Sequence, residues 1–179
     1  SFASPEKLAY YKDNFNFFCI TNWSPETDAV TVRNKVRRTE FINLLDHLEL
    51  NVISLIDPTA VISASATIGR GVFIDCMVNV ESYVEVQDYV NLYSHSDIGH
   101  HTVIERNCVF QRQCAIAGRC TFEHDTYLGT AVKALKTNAV FGTGTFIHEG
   151  IYIRRGTVPG EVVSMQGNTK RIVDCVIED

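Results

Sequence analysis

Basic residues are in short supply: 16 Lys and Arg stand against 21 Asp and Glu, giving a net charge of −5 and a pI near 5.7. No face of such a chain invites nucleic acid or an anionic membrane surface. The one basic run, from Arg33 to Arg38, reads as a solvated helix face. No apolar run approaches the ~20 residues of a membrane span, and no secretory signal is visible. Helical spacing is also missing from the middle of the chain, where apolar residues do not recur at three and four.

What is there instead is a period of six. From Ile56, Ile62 and Ile68 through Ile98 and Ile104 to Leu128, an apolar residue returns at every sixth position. Four residues after each stands something small or β-branched, as at Ala60, Val78, Ser96 and Cys114. Two inward positions per hexad fit a parallel β-helix, whose corners admit only small side chains. Cys108, Cys114 and Cys120 occupy three successive small positions on different sides of the core, so they read as buried hydrophobes. They predict neither disulfide nor metal cage, and a reducing compartment, the cytoplasm.

Ahead of the ladder, Phe15 to Ile20 reads as a buried strand. The next stretch carries Val32, Val36, Phe41, Leu44, Leu45 and Leu48 on one helical face, and Asn51 to Ile56 reads as a second strand. That is a βαβ unit. Past Leu128 the pattern predicts an irregular coil over 130–138, then the same phase again at Val140, Phe146, Tyr152 and Val158, with Gly144, Gly150 and Gly156 at corners. The expected division is an α/β unit over 1–55, a β-helix over 56–163 and a closing segment over 164–179.

His95, His100, His101, His124 and His148 all fall on outward positions of the hexad. With eighteen residues per coil, His100 stands beside Ser82 on one side and Gly118 on the other. An imidazole next to bare backbone is what acyl transfer needs: a base for a proton and an N–H for a developing oxyanion.

The hexad ladder, Leu55-Ile56-Asp57-Pro58-Thr59-Ala60 after a βαβ unit, and Gly99-His100-His101-Thr102-Val103-Ile104 together resemble the hexapeptide-repeat nucleotide-sugar acetyltransferases. Sialic acid O-acetyltransferases and N-acetyltransferases of nucleotide-linked 4-amino sugars belong to that group. The resemblance implies a mainly β fold, a left-handed parallel β-helix behind a partial Rossmann-like βαβ unit, assembled as a homotrimer with sites between subunits. It implies transfer of an acetyl group from acetyl-coenzyme A, as co-substrate, to the amino group (or a hydroxyl) of a nucleotide-linked sugar. His100 matches the family's general base. His101 stands where the family usually has an Asp or Glu that orients it, which leaves Asp97 and Glu105 as candidate partners. Ala117 and Gly118 match the backbone contact to the cofactor near its thioester. Lys170 and Arg171 match the closing segment along its phosphates, though the usual Pro-Ala before them is missing. The family's glycine-rich nucleotide loop is also missing, so either the chain is the C-terminal part of a longer polypeptide or it grips the nucleotide differently. The substrate contacts then fall to Tyr93, Ser94 and His95. Two other readings stay open: a zinc hydratase of the γ-type carbonic anhydrase kind, from the spacing of His95 and His100, and a β-helix that has lost its chemistry.

Overall fold

A computed structural model describes residues 10, 16–18, 28–164 and 170–171. Chain order runs from helix α1 (Asp28–His47) into strands β1 (Leu55–Ile56) to β19 (Lys170–Arg171), nearly all of them two residues long. They stack as three parallel sheets. The first stacks β1, β4 (Phe73–Ile74), β7 (Asn91–Leu92), β10 (Val109–Phe110), β13 (Tyr127–Leu128), β16 (Phe146–Ile147), β18 (Glu161–Val163) and β19, the second β17 (Tyr152–Ile153), β14 (Lys133–Ala134), β11 (Ala115–Ile116), β8 (Asp97–Ile98), β5 (Asn79–Val80) and β2 (Val61–Ile62), and the third β15 (Val140–Phe141), β12 (Thr121–Phe122), β9 (Val103–Ile104), β6 (Glu85–Val86) and β3 (Thr67–Ile68). Leu55 pairs with Phe73 and Asn79 with Asp97, a register of eighteen residues per coil. The architecture is a mainly β, left-handed parallel β-helix of about six turns.

The ladder residue closes each strand and points inward. Ile74, Leu92, Ile98, Ile104, Phe110 and Phe122 are fully buried, as are the small positions Ser96, Thr102, Cys108 and Cys114. Each buried rung contributes roughly 1.5–3 kcal/mol. At the third residue past each rung the chain turns through left-handed backbone even without glycine, as at Tyr83, His101 and Asp125 with φ of 60°, 58° and 63°. Cys76, Cys108, Cys114 and Cys120 are free, and burial pushes the Cys108 and Cys114 thiols up to about 12. Among the described residues none is set to act as a thiolate.

One expectation fails. Ala134 is a buried rung in β14 (Lys133–Ala134), so the coil is regular there, but the stretch after it carries one additional residue. Phe122 pairs with Phe141, and Leu128 with Ile147. The rungs are therefore Phe141, Ile147 and Ile153, while Val140, Tyr152 and Val158 are exposed at 47%, 62% and 46%. Gly144 and Gly150 land on the left-handed turn position.

The N-terminal unit is present in minimal form: Phe17 bridges Val52 in parallel, with α1 between them. The remainder of the expected first strand lies outside the described residues. Ile42 and Leu45 of α1 bury against Leu50, Val52 and Tyr89, with Phe41 and Leu48 at the margin. Asp46 fastens the helix to the coils by accepting from Tyr89 Oη, Arg70 and Arg106. Burial pushes its carboxyl up, but the hydrogen bonds from Tyr89 and Arg106 and the nearby arginine charges outweigh that and hold it below its usual range.

Candidate active site

Four corners share a simple arrangement. A carboxylate one residue past a rung accepts the N–H of the residue two past the rung in the next coil. Glu81 takes His100 N–H at 2.7 Å, Glu105 takes His124 N–H at 2.9 Å and Glu123 takes Thr143 N–H at 2.7 Å. Asp75 does the same for Ser94 at 3.2 Å. Backbone donors need a partner once they leave water, and the acidic side chain supplies it.

Among the described residues Gly118 has no such cap, as Asp88 above Gly69 and Glu149 above Gly129 have none, but Gly118 has the His100 ring lying over it. It sits two past the rung Ile116, and the residue that should cap it is Gly99, which has no side chain to do so. A Cβ on Gly99 would lie 2.6 Å from Gly118 N. Among the described residues nothing accepts the Gly118 N–H. The space outside Gly99 is thus the position a carboxylate oxygen fills at those four corners, here without one.

His100 adjoins that space. Its side chain is exposed, and its ring lies flat over Gly118, so that a Cβ there would come within 2.7 Å of Nε2. The notch expected beside the histidine is occupied by the imidazole itself. His100 Nδ1 meets His101 Nδ1 at 3.0 Å, the rings standing at 89°. His101 in turn lies against the Tyr83 ring at 4.9 Å, and its N–H donates to Ser82 O. A groove of about 560 Å³ opens beneath the pair, lined among others by Val61, Ser63, Asn79, Glu81, Ser82 and Tyr83.

The remaining sequence candidates scatter. Asp97 accepts from Asn79 Nδ2, and Glu105 serves His124, so neither orients His100. Ala117 lies beside Gly118, its N–H donating to Ala134 O. Tyr93, Ser94 and His95 occupy the preceding corner, at the end of β7 (Asn91–Leu92), one side of the coil away from His100. Tyr93 is half-buried with its ring 5.5 Å from Phe73. Lys170 and Arg171 form β19, antiparallel to β18 (Glu161–Val163), on the first sheet, whereas His100 follows β8 (Asp97–Ile98) on the second. The second sheet carries its own charge gradient: Glu81 and Asp97 below His100, and Lys133, Lys136 and Arg154 above it. The capping carboxylates, and Gly99 as the reason Gly118 goes uncapped, were missed in the sequence, although a Glu nineteen residues before His100 and before His124, against Gly99 before Gly118, was there to be read. Among the described residues no three His, Cys, Asp or Glu side chains gather as a metal cage, and no helix is long and apolar enough to cross a membrane.

No family model and no curated protein sequence matches the chain. Solved structures do. PerB from Caulobacter crescentus, in complex with CoA and GDP-perosamine, superposes with a TM-score of 0.78 at 16% identity, over 92% of this chain and 75% of that one. WeeI from Acinetobacter baumannii AYE reaches 0.70 at 18% identity, and the acetyltransferase domain of PglB from Neisseria gonorrhoeae FA1090, in complex with acetyl coenzyme A, 0.70 at 19%. Each of these two is matched over 76% of this chain and 66% of its own length. At these identities the likeness establishes a shared fold.

Proposed function

We propose that the protein is an acyltransferase that moves an acetyl group from acetyl-coenzyme A to the amino group of a nucleotide-linked sugar. One observation carries this reading: an exposed imidazole beside a backbone N–H that no protein group caps. His100 Nε2 removes the proton from the attacking amine, and Gly118 N–H donates to the oxygen of the tetrahedral intermediate. The geometry suits an anionic oxygen, since carboxylate oxygens occupy the equivalent space at Glu81, Glu105 and Glu123. Collapse of the intermediate expels the coenzyme thiolate.

The charge gradient along the second sheet supports an orientation. The coenzyme's phosphates run up toward Lys133, Lys136 and Arg154, with Lys170 and Arg171 further along the stack. The amino sugar enters from the groove below, where Glu81 favours its ammonium form. Acceptor contacts in this reading fall to Ser63, Asn79 and Tyr83 more than to Tyr93, Ser94 and His95. The exposed Val61, Met77, Tyr83 and Tyr152 suit burial against a second copy, in keeping with a homotrimer, and buried reduced thiols suit the cytoplasm. The resemblance of the motifs to nucleotide-sugar acetyltransferases, and the shared fold of PerB, solved with CoA and GDP-perosamine, favour the same substrate class. Incubation with acetyl-coenzyme A and a panel of nucleotide 4-amino sugars, following thiol release, tests it: turnover on at least one is expected. Failure on all, together with no binding of coenzyme A by calorimetry, leaves a scaffold without chemistry.

A further inference from the structure

Two imidazole nitrogens 3.0 Å apart are held by one proton. If both Nδ1 atoms carried hydrogen they would repel, and if neither did no bond would exist. One ring therefore donates and the other accepts, which fixes opposite tautomers on the two histidines. Their surroundings decide which way. Glu81 accepts the backbone N–H of His100 at 2.7 Å, and the ring lies with Nε2 over Gly118, where acyl transfer needs it bare, so the shared proton belongs on His100 Nδ1. His101 shares its column with Tyr83 in the coil below and with Arg119 in the coil above, whose N–H donates to His100 O. Among the described residues no carboxylate is bonded to either ring.

We propose that His101 is the positioning residue of this site, a neutral acceptor where a carboxylate would be the ordinary choice. Resting on the acyl-transfer reading above, the step runs as follows. His100 begins as the Nδ1–H tautomer, its proton donated to the bare Nδ1 of His101, which leaves Nε2 of His100 as the free base. As the amine attacks, its N–H bond breaks and a bond to His100 Nε2 forms. The His100 Nδ1 proton then crosses to His101 Nδ1, and the exposed His101 releases its Nε2 proton to water. No oxidant or further reactant enters, and the pair ends with the net charge it began with. A carboxylate partner would hold the proton on His100 by charge; His101 instead offers an exit to solvent, at the cost of being disabled once acid protonates it.

Two measurements decide this. Nitrogen-15 NMR of the histidine side chains in the substrate-free protein should report His100 as Nδ1–H and His101 as Nε2–H, with His101→Ala abolishing the fixed tautomer of His100. Identical tautomers on the two rings, or an unchanged His100 in the variant, overturn the proposal whether or not the protein turns over an amino sugar. In the transfer assay His101→Ala should lower kcat about tenfold with KM for acetyl-coenzyme A within twofold. His101→Glu should recover kcat while moving the acid limb of the pH–rate profile upward by about one pH unit. An acid limb that stays put in His101→Glu contradicts the neutral-acceptor role. A parent protein without transfer activity sinks the acyl-transfer reading and leaves the tautomer result standing.

Discussion

Two corners of this molecule are built to one plan and differ where it matters. His100 and His124 each stand two residues past a rung, each has its N–H capped by a glutamate from the coil below, and each Nδ1 meets the following side chain, His101 at 3.0 Å or Asp125 at 3.1 Å. At the His124 corner the preceding residue is Glu123, which caps Thr143 with its carboxylate. Asp125 is also tied inward, accepting from Asn107 Nδ2 at 2.6 Å, and Asn107 in turn accepts from the buried Arg38 of α1. At the His100 corner Gly99 replaces Glu123 and Gly118 replaces Thr143, so the donor above is free and the imidazole settles on bare backbone. The lesson is that a histidine with an acidic neighbour is a recurrent corner of this fold. What separates the His100 corner from the His124 corner is the absence of two side chains around it.

The comparison can be broken most directly at the histidines. His100→Ala should lower kcat by roughly 10²–10⁴ in the thiol-release assay, whereas His124→Ala should stay within about twofold of the parent. Equal losses at both would erase the distinction. Next in size, Gly99→Glu copies Glu123 into the open corner and places a carboxylate on the Gly118 N–H. Turnover should fall by about 10²–10³, the usual cost of losing an oxyanion donor, and the thermal midpoint should fall too, because the new Cβ would meet backbone atoms of Gly118, Ile116 and Ala117 at 2.6–2.8 Å; retained activity would show that this N–H is not used. The smallest effect belongs to the tie between the His124 side of the stack and α1. Asp46→Asn should cost on the order of 1–2 kcal/mol in denaturant unfolding, its partners being partly solvent-screened, with kcat unaltered. Because the folded Asp46 ionises below the unfolded value of 3.8, its contribution is present above that pH and is lost as pH falls through the lower folded value. Unfolding curves of the parent should therefore weaken below about pH 4 by a step that Asp46→Asn lacks.

Much of this was legible in the chain. Every rung from Ile62 to Leu128 packs in or against the core as the period of six demands, because no other register buries an unbroken column of Ile, Val, Leu and Phe, while Ile56 in the first coil stays 45% exposed. The slip after Ala134 was hidden since both members of Val140–Phe141, Phe146–Ile147 and Tyr152–Ile153 are apolar, and a hydrophobic count cannot tell which one faces the core. The juxtaposition of His100 with Gly118 followed from eighteen-residue arithmetic. Tyr93, Ser94 and His95 were assigned by nearness in sequence, yet six residues in this fold turn the chain around a corner. His101 was legible as a departure but not as a partner, because Nδ1-to-Nδ1 contact depends on ring rotation, which spacing does not encode.

Asp46 reaches Arg70, Tyr89 and Arg106, which belong to three consecutive coils. In a stack where each layer touches only its neighbours, one residue gripping three of them works as a clasp at one end of a spring. Thermal breathing is then suppressed near the clasp and grows with distance from it, so amide exchange should be slowest around Val86 to Ile104 and quicken toward Ile153. The groove beneath His100 and His101 lies inside the quiet zone, while the lysines and arginine at the far end of the same sheet ride on the livelier coils, free to adjust around a long, hinged ligand.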